Sequence, residues 1–352
     1  MNSIQRLLLS RSGPAITGAV AGVLGAFLVF FGNPGFCFSC FTRGLTNVAA
    51  GFCGVEAVLH LRPEIPAFVL GSFLSAFSAK EFRPRGGSSP LLRLLLGFFT
   101  MVGAKIFLGC TWRAYARLAE GDWNALAGIA GVIAGVGAGV YFLRQGFTLG
   151  RAGKVSVRSG ALLPLISCVL LAILLFRPVF FPASGPDMSL VSVALSVVVG
   201  LLVGWMAQKS RYCTVGAIRN LIMARDAHLL YGIIAFLIAS FTMNILLDQF
   251  MPGFDNQPLE HTNHLWNFLG MLLLGLAATF AGGCPGRQFV LSGQGDGDAA
   301  VFLLGMLAGG LFSCLVPLTG LSEGVTVYGM AAVVLGIIFC LAVGFLCCIR
   351  ME

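Results

Sequence analysis

Four cysteines in this chain are each followed by an arginine at a fixed distance. Cys110 and Cys284 precede Arg113 and Arg287 by three residues, and Cys37 and Cys213 precede Arg43 and Arg219 by six. Two of the four open longer matching stretches, "GCTWRAYARLAEGD" (109–122) and "GCPGRQFVLSGQGD" (283–296). These share a leading glycine, Gly109 or Gly283, and a closing aspartate, Asp122 or Asp296. A thiol is a weak donor and a polarizable contact, suited to a large soft atom. Backbone N–H groups at nearby helix tips would suit the oxygens of an oxyanion, and the guanidinium groups would set a positive field or pair with the two aspartates. The plainer alternatives are small cysteines packing helix tips and arginines snorkelling to the bilayer surface. Cys37 also opens "CFSC", a C-x-x-C pair with Cys40 that a thiol oxidoreductase would use. The matching position in the second copy is Gly216, so the duplicated feature is the single cysteine, and an enzyme is not expected.

The elements that must position these residues are membrane helices. Charged residues make up 10% of the chain, against ~25% in an ordinary soluble domain, and the mean hydropathy is +0.92. Apolar runs of about 18 to 24 residues suffice to cross a ~30 Å hydrocarbon core as helices, and no short alternating strands suggest a barrel. The expected fold class is therefore an all-α polytopic membrane protein. Ten spans are expected near 13–31, 63–79, 91–109, 123–143, 160–181, 188–208, 228–249, 264–283, 299–319 and 325–348. The first follows basic residues Arg6 and Arg11 but has no convincing small-residue cleavage site, so it reads as a span and not as a signal peptide. Loops 80–93, 144–158 and 208–225 are rich in Lys and Arg, whereas 181–187, 248–263 and 320–324 contain none. By the positive-inside rule both termini are then cytoplasmic, and the net charge of +8 is a topology signal, with no nucleic-acid partner expected.

The repeat can be measured. Cys37 to Cys213 is 176 residues and Cys110 to Cys284 is 174, close to half of 352. Residues 1–181 and 182–352 thus read as two homologous halves of five spans within one transmembrane domain. An odd number of spans inverts the second half relative to the first. "FGNPGFC" (31–37) and "GGCPGR" (282–287) put Gly and Pro at bilayer depth, which predicts re-entrant half-helices from the two halves meeting at the midplane. Other cysteines without a counterpart, including Cys53, Cys168, Cys314, Cys340, Cys347 and Cys348, and the glycines of 128–140, are expected to serve packing. His60, His228, His261 and His264 all fall at span ends or in loops, so no metal and no cofactor are expected. A channel of the same fold remains an alternative to a transporter.

The segments "GNPGFC", "KEFRPRGGSSP", "FLGC", "SRYCTVGAIRN" and "AGGCPGRQ" resemble the YeeE/YedE sulfur-transport family, most closely its YedE-type branch associated with selenium metabolism. The likeness runs over nearly the whole chain, and "KEFRPRGGSSP" and the paired "GC" motifs are its most specific parts. It implies an inner-membrane permease for a small sulfur- or selenium-containing anion, thiosulfate in the better understood relatives. Its implied partners are the bilayer and a cytosolic sulfur-carrier or selenium-metabolism protein. The resemblance also implies that Cys37, Cys110, Cys213 and Cys284 hold the sulfur end of the substrate by S–H···S contacts.

Overall fold

The computed structural model describes residues 3–33, 35–52, 62–176, 190–255, 257, 261–320 and 324–348. Loop 181–187, the junction at 181/182, Cys53 and His60 lie outside the described residues.

Ten helices carry the expected spans. They are α2 (Gly13–Phe30), α4 (Glu64–Ser78), α5 (Pro90–Phe107), α7 (Asn124–Arg144), α8 (Val157–Phe176), α9 (Leu190–Ser210), α11 (Leu230–Leu246), α12 (His264–Ala281), α14 (Gly297–Leu315) and α15 (Val327–Leu346). Eight apolar segments are long enough to cross a bilayer, and α4 and α11 are shorter apolar helices. At ~1.5 Å per residue, the 15 residues of α4 rise only ~22 Å. Four short helices interrupt the succession: α3 (Phe38–Phe52), α6 (Thr111–Glu120), α10 (Thr214–Ala224) and α13 (Pro285–Gly293), with α1 (Ser3–Leu9) preceding the first span. Among the described residues, strands are confined to two-residue ladders. β1 (Arg85–Gly86) pairs antiparallel with β2 (Gly153–Lys154), and β3 (Thr319–Gly320) with β4 (Gly324–Val325). The chain is thus an all-α polytopic membrane protein.

Helix pairing recurs in matched sets. α2 packs on α11 and α4 on α9; α7 packs on α12 and α5 on α14; α6 lies against α11 and α13 against α4; α3 lies against α14 and α10 against α7. Exchanging α2 to α7, in order, for α9 to α14 turns each pairing into its partner. The last helices follow this rule only in part: α8 on α14 matches α15 on α7, but α8 otherwise packs on α4 and α13, whereas α15 packs on α12 and α5.

The main pairs meet through glycine. A Cβ at Gly131 or Gly135 of α7 would run into the carbonyl oxygens of Phe268 and Leu272 on α12, and one at Gly200 or Gly204 of α9 would run into those of Glu64 and Phe68 on α4. The spacing of four residues places both glycines of each pair on one helical face, which lets the backbones approach without side chains between them.

Two loops fasten the bundle, one at each end. The segment before α5 crosses the α13–α14 junction, where Arg83 N–H donates to the Gln294 carbonyl (3.0 Å) and Arg85 pairs with Asp296 (2.7 Å). The segment before α12 crosses the α6–α7 junction in the same way: Met251 N–H donates to the Glu120 carbonyl (2.9 Å) and Trp123 N–H to that of Gly253 (3.0 Å). Asp298 holds the first crossing, its Oδ1 accepting from the N–H of Gly87 (2.7 Å) and Ser88 (3.1 Å) and its Oδ2 from the Ser88 hydroxyl (2.6 Å). Asp298→Ala would orphan these donors. It is expected to destabilise the protein by about 3 kcal/mol, the order of magnitude for lost hydrogen bonds to a charged group. Thermal unfolding in detergent, with Asp255→Ala as an exposed control, measures it.

Candidate functional site

The four short helices begin in one way. Two residues before each cysteine the backbone is left-handed, at Gly35 (φ 71°), Leu108 (φ 63°), Arg211 (φ 55°) and Gly282 (φ 95°). At Leu108, Arg211 and Gly282 that residue directly follows the preceding helix, whereas Gly35 lies five residues past the end of α2, and the cysteine then starts a new helix. Cys110, Cys213 and Cys284 are the N-cap residues of α6, α10 and α13, all extended, and Cys37 immediately precedes α3. The cysteine sulfurs face the amide three residues on: Cys40 N–H donates to Cys37 Sγ (3.3 Å), Gly216 to Cys213 (3.2 Å) and Arg287 to Cys284 (3.4 Å), and the Arg113 amide faces Cys110. Sulfur here takes the capping place usually held by Ser or Asp oxygen.

The breaks come together. Cys284 N–H donates to Cys213 Sγ at 3.4 Å, and the hydroxyls of Thr111 and Thr214 lie 2.7 Å apart, joining the starts of α6 and α10. The amides of Phe38 and Ser39, at the start of α3, face the Cys110 thiol. A Cβ at Gly286 would strike Phe38 and the Trp112 indole nitrogen, which places the start of α13 against those of α3 and α6. Rings close the meeting point: Trp112 lies 5.4 Å from Phe38 and 5.0 Å from Tyr212, and Phe38 lies 5.4 Å from Phe289. Cys37, Cys110 and Cys284 are fully buried and Cys213 nearly so. The Trp112 Nε1–H is buried without a hydrogen-bond acceptor. Four helix N-termini aimed at one buried point, each carrying roughly half a positive charge, suit an anion, and thiols set before them suit a soft atom on that anion.

The Gly-Cys-x-x-Arg pattern has a packing cause. A Cβ at Gly109 would meet the Arg113 stem at 3.0 Å, and one at Gly283 the Arg287 stem at 2.9 Å, so each arginine lies folded back over the glycine before the cysteine. The expected pairing of these arginines with Asp122 and Asp296 is not what the structure has. Arg113 pairs with Glu120 (2.6 Å), seven residues on and two turns along the same face of α6. Asp122 takes Arg117 (2.5 Å) and caps α7 through Asn124 N–H (2.9 Å). Asp296 takes Arg85 and caps α14 through the amides of Asp298 (3.0 Å) and Ala299 (3.1 Å). Arg219 Nε and Nη2 donate to the neighbouring Asn220 Oδ1 at 3.4 Å. Arg43 lines a small cavity with Ser39, Cys40, Lys105 and Gly109.

Cys37 and Cys40 are joined as a disulfide with Cα atoms 5.2 Å apart, a closeness that C-x-x-C has in any first helical turn. Cys110, Cys213 and Cys284 are then the free thiols of the duplicated set. Among the described residues, no three His, Cys, Asp or Glu side chains gather as metal ligands. His261, in the loop before α12, is buried, which lowers its ring below the ordinary imidazole range, and its Nε2 lies 2.7 Å from the Ile106 carbonyl oxygen. Sequence reasoning missed Thr111, Thr214 and Trp112. The dipeptide Cys-Thr in both "GCTW" and "YCTV" was the available signal, but it links motifs that do not correspond between the halves.

These features define a helical membrane protein with a buried site built from broken helices. Residues 209–351, somewhat less than half of the chain, match the family model for sulphur transport. That stretch includes Cys213 and Cys284 with their arginines, and the match supports a small sulfur compound as substrate and the bilayer as surroundings. Among curated proteins, none matches the chain.

Proposed function

We propose that the protein is a membrane permease that imports a small sulfur- or selenium-containing oxyanion, of which thiosulfate is the simplest form, past the cysteines at the four helix starts. The observation that carries this reading is the convergence of four helix N-termini, each begun by one of the duplicated cysteines, at one buried point. In this reading the amides and the Trp112 indole take the oxygens, and Cys110, Cys213 and Cys284 take the soft terminal atom in succession. Weak contacts repeated along a path hold the ion without trapping it, which passage requires.

The two halves, 1–181 and 182–352, are inverted relative to each other in this account, with both termini cytoplasmic and the chain in the inner membrane. The mirrored pairings and the two loop crossings at opposite ends support it. The closed ring cluster around Trp112 fits an occluded state between outward- and inward-open forms, as expected of alternating access, and favours a transporter over an open channel. A cytosolic sulfur-carrier or selenium-metabolism protein would receive the substrate. The test is uptake of labelled thiosulfate and selenite by cells expressing the chain, with mutual competition. Saturable thiosulfate uptake is expected, with stronger competition by selenium species if the selenium reading holds. No uptake of either anion above background would refute the proposal.

A further inference from the structure

Glu64, the first residue of α4, is fully buried, and among the described residues it has no ion-pair partner. Its Oε2 accepts from Asn33 Nδ2 at 2.9 Å, whereas Oε1 is buried without a partner. The same Asn33 amide nitrogen donates to Ser196 Oγ of α9 at 2.8 Å, and Asn33 Oδ1 accepts from Gly35 N–H at 3.2 Å. One side chain thus ties the carboxylate to a helix of the second half and to the left-handed break that presents Cys37. Arg62 is the cation acting on Glu64, and its Nη1 donates to the Gly35 carbonyl at 2.9 Å, on the same break. Arg62 in turn lies in the field of Arg113, Arg43 and the Cys110 thiol. The charged residues on the helices packed against α4 are Lys209 of α9, Arg287 of α13 and Arg158 of α8, and the described span α2 carries none.

We propose that Glu64 binds and releases a proton in step with the anion, so that the protein works as a proton–anion symporter. The inference rests on the transport reading above. Without substrate, Arg62 and the N-terminus of α4 favour the ionised form of Glu64 against the cost of its burial. An anion arriving beside Cys110 draws on the same positive field of Arg62, Arg43 and Arg113. The carboxylate then loses part of its counter-charge in a site that water does not reach, and a proton from the entry side adds to Oε1, its unpartnered oxygen. Departure of the anion restores the field and expels the proton. By linkage, each ligand strengthens the other's binding by the same factor. Co-transport also removes one negative charge from a dianion that would otherwise move against an inside-negative potential.

The test uses the full chain in liposomes loaded with a pH-sensitive dye and supplied with labelled thiosulfate. Wild-type protein is expected to admit protons with thiosulfate and to accumulate it several-fold more when the outside is made one pH unit more acid. Glu64→Gln, which mimics the protonated side chain, is expected to lose both responses yet retain exchange of labelled for unlabelled thiosulfate. Glu64→Asp, which still titrates, is expected to keep them in part. Gradient-driven accumulation undiminished in Glu64→Gln, thiosulfate entry without protons in the wild type, or responses in Glu64→Asp no greater than in Glu64→Gln would overturn the inference. Failure of the wild type to exchange thiosulfate at all would instead overturn the transport reading, and this inference with it.

Discussion

Cys110→Ala and Cys284→Ala are each expected to lower thiosulfate uptake by more than about tenfold, a barrier increase of at least about 1.4 kcal/mol, while the protein remains folded and inserted. Both side chains are fully buried where the helix starts converge. Both sulfurs face the amide three residues on, Arg113 N–H at Cys110 and Arg287 N–H at Cys284, from which Cys284 Sγ accepts at 3.4 Å. Loss of that cap adds about 1 kcal/mol of destabilisation, so Cys284→Ala should be compared with Cys284→Ser, which can cap but presents a harder atom. Uptake should stay low in Cys284→Ser although stability returns. Cys168, exposed on α8, and Cys347, after α15, are the controls, and their alanine variants should transport normally. Equal losses in both sets would reduce the duplicated cysteines to packing residues.

Gly135→Leu is expected to prevent assembly of the bundle, whereas Gly137→Leu, two residues along the same helix, is expected to be tolerated. A Cβ at Gly135 meets the Leu272 carbonyl oxygen and lies 2.9 Å from the Leu276 nitrogen, both backbone atoms of α12 that cannot turn aside. Nothing lies within 4 Å of a Cβ at Gly137. Relieving the clash means separating α7 from α12, which opens the most extensive helix contact in the protein. Size-exclusion chromatography in mild detergent reads the outcome directly. The Gly135 variant should run as aggregate and the Gly137 variant as a single species. Monodisperse protein from both would mean that α7 and α12 do not approach as closely as described.

Gly131 and Gly135 were legible as packing residues because composition and spacing suffice for that inference, whereas Gly137 of the same run meets nothing. The ten spans were equally legible as apolar runs, eight of them in segments long enough to cross a bilayer, and the helix breaks announced themselves through Gly and Pro around Cys37 and Cys284. What was not legible depends on direction within a helix or on contacts far apart in sequence. Aligning the two motifs set Arg113 over Arg287 and suggested the aspartates as partners. In the fold, Glu120 is the acid on the Arg113 face of α6, and the left-handed Gly121 turns Asp122 towards Arg117. Asp298 drew no notice in the sequence, yet it holds a loop 210 residues earlier in the chain. Glu64 stood unnoticed at the head of an apolar run, because its partners Asn33 and Ser196 come from two other helical segments.

The central claim is that the duplicated cysteines line one path with opposite mouths, and thiol accessibility tests it most directly. In variants retaining a single reactive thiol at Cys110 or Cys284, a membrane-impermeant reagent should reach Cys110 faster from outside and Cys284 faster from inside-out vesicles. Substrate should slow both reactions, since it would occupy the same passage and shift the balance of open states. Rates compared across pH separate access from thiolate fraction. Opposite order from the two faces, with protection of both thiols by thiosulfate, is the predicted result. Labelling of both cysteines from one face alone, with no protection by substrate, would contradict the account.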